Sequence, residues 1–385
     1  QTESNCIMAS GNGSAPSYGV KYQSRCIAPQ LGERERSRFL VGTLSLREEN
    51  EIHHLHYSEG INEIVSEGVY HHPHEIWDLA CSPFDARLFS TVYRHGEEYG
   101  ASVWRLLPRG KINPGSSSPG PQGLQLDQVA ELKGHSAPIK SVLWCPLSTK
   151  QNVLVSLDEE TIRVYNLEDG KKTLEARSEA KAGDLQHIAG GSWDPHDSNS
   201  VAVASGMLVE IWDLRTMRRG QKIDQAHGMQ VRDVDFNPKR QNTLLTAGDD
   251  SYIRFWDTRQ IATPLLELQA HNHWIWRAKF NRVYDELVLS GGTDSACNLW
   301  HVPSVSSSKA GRSGSKGSAN DLSGARTPRE PHDGLAHTYT EHEDSIYGVA
   351  WSAKDPLLFA SLSYDGRVIV DRVPDSVRRK LSNPY

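Results

Sequence analysis

A recurring segment constrains the fold of this chain more than any other feature of the sequence. Each copy begins with a histidine, and an aromatic residue or a cysteine follows nine residues later. Five copies begin at His72, His135, His227, His271 and His342, and in a sixth Asp184 replaces the histidine. Self-similarity at a period of roughly 20–50 residues predicts stacked structural units, because one such unit cannot bury its own hydrophobic face.

A seventh copy is indicated near the N-terminus, where Ser17–Tyr22 matches Ile346–Trp351 almost residue for residue. Aligning the seven copies predicts one equivalent position in each unit. Its occupants are Tyr18, Trp77, Lys140, Ala189, Arg232, Trp276 and Tyr347. The closest copies lie 43 and 44 residues apart, within the range of roughly 40–45 residues that is typical of WD40 units.

The second half of each unit predicts strands. The run from Leu244 to Asp257 places a tight turn between two β-rich segments and ends in Trp-Asp, and Val288–Trp300 repeats this pattern. Short alternating segments broken by Gly and Asp are typical of strands rather than helices. We therefore predict an all-β fold, a single seven-bladed WD40 β-propeller over residues 18–374, with four strands in each blade.

Two stretches interrupt the repeat, and two segments flank it. Residues 107–123 and about 303–334 are poor in apolar side chains, so burial cannot offset the entropy of ordering them, and we predict two disordered loop insertions. We also predict a disordered N-terminal leader over residues 1–17 and a tail over 375–385. Only three strands of the last unit are evident, so its fourth could come from the tail or from the N-terminal segment.

Composition excludes several function classes. The net charge of −6 gives no electrostatic attraction to nucleic acid, and no stretch approaches 18 apolar residues. The five cysteines form no CxxC pair, which argues against a zinc site and a disulfide framework. His54 and His56 could face one side of a strand as metal ligands, but no cysteine lies near them in the sequence, and in the second His-rich patch the repeat makes His72 structural. We expect no metal, cofactor, small-molecule substrate or membrane insertion.

Polar residues recur within the units at fixed spacing. Two units each supply a His, a Ser or Thr, an Asp and a Trp that a WD40 blade joins by hydrogen bonds. These are His227, Thr246, Asp250 and Trp256, and His271, Ser290, Asp294 and Trp300. A catalytic triad uses similar residue types. Because the group recurs and its Trp fills the space that a substrate would need, we interpret it as structural and predict no enzymatic activity.

The equivalent positions predict a binding surface. Inner strands of a propeller begin around one mouth of the central channel, so aromatic and cationic side chains would gather there. The predicted partner-binding residues are Tyr18, Glu75, Trp77, Lys140, Gln230, Arg232, Trp274, Trp276 and Tyr347. Aromatic residues and Arg dominate interaction hot spots. The alternative is that several of these rings are partly buried against neighbouring blades.

The whole pattern resembles one family, the WD40 proteins that bind the endosomal (EARP) and Golgi (GARP) vesicle-tethering complexes. The resemblance rests on Arg38–Leu46, Glu75–Trp77, Ala226–Pro238 and Glu341–Pro374, and it covers about residues 18–374. It implies a non-catalytic adaptor with protein partners, cytoplasmic and peripheral to endosomes and the Golgi, acting in endosomal recycling and retrograde traffic.

A plant branch that resembles this family consists of substrate receptors of cullin-4 ubiquitin ligases that restrain abscisic-acid signalling. Its members dock on the ligase adaptor through a DWD box, and Leu244–Arg259 is similar to that box. The resemblance implies docking through Arg215, Asp257 and Arg259. A ligase receptor could also be located in the nucleus. In the alternative interpretation, these arginines only pair with neighbouring carboxylates.

Overall fold

Seven small sheets make up the structure, a computed structural model that describes residues 15–46, 49–96, 98–107, 124–150, 152–181, 188–310 and 332–381. Within each sheet, consecutive strands pair antiparallel, and successive side chains point to opposite faces of the sheet. The prediction of an all-β, seven-bladed propeller is confirmed.

The strands follow the repeat from blade to blade. The first strand is β1 (Ser17–Gly19). Blade 1 contains β2 (Ser24–Pro29), β3 (Ser37–Thr43), β4 (Asn50–Ser58) and β5 (Glu63–His72). Blade 2 contains β6 (Glu75–Cys81), β7 (Leu88–His95), β8 (Glu98–Leu106) and β9 (Leu126–Leu132). Blade 3 contains β10 (Ile139–Trp144), β11 (Val153–Asp158), β12 (Thr161–Asn166) and β14 (Ser178–Lys181), and β13 (Thr173–Leu174) pairs parallel with β9.

The remaining blades follow the same plan. Blade 4 contains β15 (Ile188–Trp193), β16 (Ser200–Ser205), β17 (Leu208–Asp213) and β18 (Arg218–Ile223). Blade 5 contains β19 (Val231–Phe236), β20 (Thr243–Gly248), β21 (Tyr252–Asp257) and β22 (Leu266–Gln269). Blade 6 contains β23 (Ile275–Phe280), β24 (Leu287–Gly292), β25 (Cys297–His301) and β26 (Gly334–Tyr339). Blade 7 contains β27 (Ile346–Trp351), β28 (Leu358–Ser363) and β29 (Arg367–Arg372).

The N-terminal segment closes the ring. Strand β1 pairs antiparallel with β29, with Tyr18 opposite Val368, so it is the outer strand of blade 7. Inner strands β2 and β27 are neighbours, as are the inner strands of the other adjacent blades. The N-terminal segment, and not the C-terminal tail, therefore supplies the fourth strand of blade 7. The predicted disordered leader extends too far at its C-terminal end. Pro16 O accepts a hydrogen bond from Val370 N, and Ser17 begins β1.

Apolar side chains fill the spaces between blades. The described residues contain seven buried hydrophobic clusters, and each draws its members from two adjacent blades. Between blades 7 and 1, for example, Phe39 and Val41 pack with Leu358 and Ala360. Full burial of one such large side chain contributes about 1.5–3 kcal/mol. Each unit is therefore stabilised mainly by its neighbours.

Parts of the predicted insertion and tail are folded. A 3-10 turn (Pro303–Val305) and helix α1 (Ser307–Ala310) occupy the beginning of the 303–334 stretch, and Val305 joins the cluster between blades 5 and 6. In the tail, helix α2 (Asp375–Leu381) buries Val377 and Leu381 between blades 6 and 7. The prediction of disorder was therefore wrong for residues 303–310, because a few well-placed apolar residues suffice to dock a short segment, and the predicted tail begins with a folded helix.

Residues 108–123 and 311–331, which carry most of both predicted insertions, lie outside the described residues, as does Asp184. A further short 3-10 turn (Ser148–Lys150) follows β10. Across the described ranges, no helix has the length and apolar character needed to span a bilayer.

Candidate interaction surface at the channel mouth

Every inner strand contains an irregularity at the same place. The register with the second strand of the blade shifts within the first three residues, which leaves one residue out of the ladder. The seven skipped residues are Arg25, Trp77, Lys140, Ala189, Arg232, Trp276 and Tyr347. A bulge re-aims the side chain that it carries. The fold thus repeats one special side-chain position seven times around the mouth of the channel.

Six of these residues match the sequence alignment, but Tyr18 does not. Tyr18 lies on outer strand β1, where its hydroxyl is 3.0 Å from His53 Nδ1. Arg25 holds the seventh position, on inner strand β2. The alignment was wrong because β1 and β27 carry similar residues although they occupy different places in blade 7. The alternating segment Ser24–Pro29, followed by a second β-rich run, was the signal that could have located Arg25.

Aromatic rings and guanidinium groups form a continuous belt around part of the mouth. We define this belt as Arg232, Trp276, Tyr347, Arg25 and Trp77, in that spatial order. Arg232 lies 4.7 Å over the Trp276 ring, and Trp276 stacks on Tyr347 with ring centroids 4.7 Å apart. Arg25 lies 4.8 Å from the Tyr347 ring and 5.3 Å from the Trp77 ring. Cation–π contacts of this kind contribute about 0.5–2 kcal/mol each.

Two cations at the mouth, Arg232 of the belt and Lys140, carry their own carboxylates. Arg232 donates two hydrogen bonds to Asp249, both of 2.7 Å. Lys140 Nζ lies 2.7 Å from Glu159 Oε1. Bidentate pairing of Arg with a carboxylate fixes the guanidinium plane. Arg232 is therefore anchored in one orientation, in which it supports the belt and has its charge balanced.

The belt leaves apolar area facing solvent. Trp77 and Trp274 each expose 37% of their surface, and Met229 exposes 49%. Trp274 lies in the loop before β23 and contacts Trp276 edge to face at 6.4 Å. Gln230 is half-buried in the equivalent loop of blade 5, and its carbonyl accepts from Asp249 N. Glu75 is half-buried at the start of β6. Trp77 and Trp274 are thus both partly buried and partly exposed to solvent.

Charged side chains line the channel beneath the belt, and sequence reasoning missed them. Arg277 lies 3.3 Å from Asp78 and 3.8 Å from Asp233, and Lys279 Nζ lies 3.0 Å from Asp233. Burial raises the pKa of Asp78 to about 6, and the charge of Arg277 partly opposes that rise. These residues follow the bulge position of their strands by one or three residues. The repeat alignment could therefore have located them.

The two four-residue groups form closed hydrogen-bond networks. His227 Nδ1 lies 2.7 Å from Asp250, its Nε2 lies 2.7 Å from Thr246, and Trp256 Nε1 donates to Thr246 at 3.0 Å. The group of His271, Ser290, Asp294 and Trp300 has the same arrangement, with distances of 2.8–2.9 Å. Burial lowers the pKa of His227, which keeps its ring neutral despite the adjacent carboxylate. Each Trp donates to its hydroxyl group, and Thr246 and Ser290 are fully buried.

Variants of this network occur in other blades. In blade 2, His72 and Trp104 share the hydroxyl of Thr91 at 3.1 and 2.8 Å. In blade 3, Tyr165 replaces the Trp and lies 3.1 Å from His135. His54 Nε2 lies 3.0 Å from Gln30 Oε1, and the described ranges hold no group of three His, Cys, Asp or Glu residues that could bind a metal. The histidines described here therefore take part in structural hydrogen bonds.

The two Trp-Asp-x-Arg turns lie on the opposite face, because they follow the third strands of blades 4 and 5. The side chains of Arg215 and Arg259 are 76% and 66% exposed. Arg259 donates to both carboxylate oxygens of Asp257 at 2.9 and 2.7 Å, whereas Arg215 lies 3.7 Å from Asp213. Arg215 also borders a cleft of about 750 Å³ between blades 3 and 4. Arg259 is thus both paired with a neighbouring carboxylate and exposed to solvent.

Comparison with known proteins places the whole chain among β-propellers of one type. A family model described as "EIPR1 beta-propeller" matches residues 12–300, and a second, "WD domain, G-beta repeat", matches residues 334–370. The first match covers well over half of the chain.

Alignments with similar proteins cover nearly the full length of the chain. The chain is 44% identical to the WD repeat-containing protein DWA2 of Arabidopsis thaliana, over 96% of this chain and 99% of that protein. It is 36% identical to the human EARP and GARP complex-interacting protein 1, over 94% and 97% of the two chains. It is 39% identical to the EARP-interacting protein homolog of Dictyostelium discoideum, over 93% and 94%.

Proposed function

The chain belongs to the EIPR1 β-propeller family, and from that premise we propose that it is an adaptor for vesicle-tethering complexes of the EARP and GARP type. It would act in endosomal recycling and in retrograde traffic from endosomes to the Golgi. The coarser conclusion, a non-catalytic protein-interaction scaffold, follows from the WD40 propeller and from the names of its relatives.

One observation carries the assignment of the contact face. The mouth of the channel presents a belt of stacked rings and guanidinium groups, with Trp77 and Trp274 partly open to solvent. Aromatic and Arg side chains that are held rigidly lose little entropy on binding and dominate interface energetics. We therefore place the tether-binding surface at this mouth.

Substitution of the two exposed tryptophans tests this placement. We expect Trp77→Ala with Trp274→Ala to lower recovery of tethering-complex subunits at least about tenfold in affinity purification with mass spectrometry. The matched control is Phe84→Ala with Val283→Ala, because these side chains are 37% and 45% exposed on the opposite face. The control should keep normal recovery, and both variants should keep a melting temperature within a few degrees of the parent. Undiminished recovery with the tryptophan variant would refute the placement.

A second candidate function is substrate reception for a cullin-4 ubiquitin ligase. It is favoured by the exposed Arg215 and Arg259, which follow the third strands of two adjacent blades on the face opposite the belt. One face could then dock on the ligase adaptor while the channel mouth presents a substrate. The same propeller could serve both functions, because the two surfaces do not overlap.

A double substitution separates the two candidates. Under the ligase hypothesis, Arg215→Ala with Arg259→Ala abolishes binding to the cullin-4 adaptor and leaves the fold intact, because both guanidinium groups project into solvent. Arg94→Ala with Arg367→Ala removes the same charge from the belt face and should leave adaptor binding unchanged. Adaptor binding that persists in the folded Arg215/Arg259 variant would exclude docking through this box. Tethering-complex subunits should be recovered with both variants.

A further inference from the structure

Arg25 differs from the other cations at the channel mouth. Its guanidinium carbon lies 4.8 Å from the Tyr347 ring, 5.3 Å from the Trp77 ring and 5.3 Å from the Tyr364 ring. Three aromatic faces therefore surround one cation. They replace part of its hydration and restrict its side chain to one region of the mouth.

No carboxylate balances this charge. Across the described ranges, no Asp or Glu oxygen lies within 4.0 Å of the Arg25 guanidinium, and its buried Nε has no hydrogen-bond acceptor. Glu75, near Trp77 in the same mouth, forms no ion pair with Arg25, and its buried Oε2 likewise has no partner. By contrast, Arg232 and Lys140 are each paired with a carboxylate at 2.7 Å. Arg25 is the belt cation whose counter-charge must come from elsewhere.

A second donor in the belt is also unsatisfied. The indole Nε1 of Trp276 is buried and has no acceptor in the described part of the chain. Trp276 stacks on Tyr347, and Tyr347 stacks under Arg25. A buried donor without an acceptor costs about 1–3 kcal/mol. Both unsatisfied donors lie on one stack, beside the unpaired charge of Arg25.

We propose that Arg25 is a recognition site for one carboxylate, supplied by an Asp or Glu in an extended segment of the partner protein. The planar guanidinium offers the paired N–H groups that match a carboxylate. One unpaired guanidinium balances one carboxylate, whereas a phosphate dianion would need a second free cation, and the other two cations at the bulge positions, Arg232 and Lys140, are already paired. Apolar residues beside the acidic residue would pack on Trp77 and Trp274. This inference rests on the proposed contact face.

The first arm of the test uses purified EARP complex and the full chain. We expect Arg25→Gln to weaken binding about 10- to 100-fold and Arg25→Lys to weaken it less, because Lys keeps the charge without the planar fork. Arg25→Gln breaks no internal ion pair but removes three cation–π contacts, so its melting temperature should fall by several degrees, and binding is measured well below that temperature, where the variant is folded. If the Trp77/Trp274 variant loses the complex while Arg25→Gln binds it within about twofold of the parent, the carboxylate site is wrong and the contact face stands.

The second arm does not depend on the tethering complex. Capped peptides Gly-Phe-Glu-Phe-Gly, Gly-Phe-Gln-Phe-Gly and Gly-Phe-phosphoserine-Phe-Gly are titrated while the tryptophan indole N–H resonances are followed by NMR. We expect the Glu peptide to bind at least about fivefold more tightly than the Gln peptide, and this preference to vanish in Arg25→Gln. Equal binding of the Glu and Gln peptides, or tightest binding of the phosphoserine peptide, would overturn the proposal. If the EARP complex does not bind the parent chain but the Glu preference is present, the proposed function fails and the carboxylate site stands.

Discussion

Replacing Asp250 by alanine is expected to lower the free energy of unfolding by about 3–5 kcal/mol, one of the two largest effects of a single substitution that we predict. Burial disfavours the charged carboxylate, but His227 and Arg254, both at 2.7 Å, hold the pKa of Asp250 well below its usual range. The variant removes the carboxylate that contacts His227 and one of the two carboxylates that pair with Arg254. Chemical denaturation or a calorimetric melting temperature measures the loss.

The matched control is Glu267→Ala. Glu267 contacts the same arginine at 2.6 Å but is 47% exposed, so its removal should cost less than about 1 kcal/mol. The pH dependence gives a second check. Because folding lowers the pKa of Asp250, its stabilisation is present above about pH 4 and is lost as the pH falls. The gap between parent and Asp250→Ala should therefore narrow in acid. Equal losses for Asp250→Ala and Glu267→Ala at neutral pH would contradict this account.

Replacing Asp371 by asparagine is expected to have the opposite effect, a gain of about 2–4 kcal/mol at pH 8. Asp371 lies on β29 and is 8% exposed, and no hydrogen-bond partner reaches its Oδ2. Burial raises its pKa to about 7, and the nearby charge of Glu341 adds to the rise. Cys297 and Tyr339 face the same site, and burial raises the pKa of both, so they are neutral there.

The sign of the pH dependence follows from the raised pKa of Asp371. The folded state holds a proton that the unfolded chain releases near pH 4, so this residue destabilises the parent progressively between about pH 4 and pH 7. Asp371→Asn should therefore melt higher than the parent at pH 8 and close to it at pH 4. Glu341→Gln removes only the neighbouring charge and should give a smaller gain. A variant that is no more stable than the parent at pH 8 would refute the prediction.

The repeat made most of the architecture predictable. Most blades combine a strand period, tight turns and a hydrogen-bonded His, all of which are local patterns that recur in the sequence. His227, Thr246, Asp250 and Trp256 were identified from spacing alone, and they meet in the structure at hydrogen-bond distance. Local patterns were sufficient because each network lies within one blade and the loop that precedes it.

The channel mouth was predictable only in part. Trp77, Arg232, Trp276 and Tyr347 were placed there correctly because the histidine of each unit fixes the start of its inner strand. The first blade has no such histidine, and the alignment selected Tyr18 on β1 instead of Arg25 on β2. Residue similarity within a strand cannot show whether the strand is innermost or outermost in its blade.

The sequence by itself determined the number of blades, the hydrogen-bonded groups within them and most of the side chains at the channel mouth, because these features repeat at a fixed spacing. Only the tertiary structure decided how the ring closes, through pairing of β1 with β29. It also decided which charges are balanced. Arg232 meets Asp249 within its own blade, whereas Arg25 meets rings from blades 2 and 7 and no carboxylate. Contacts between strands that are far apart in the chain depend on three-dimensional proximity, which spacing along a sequence does not encode.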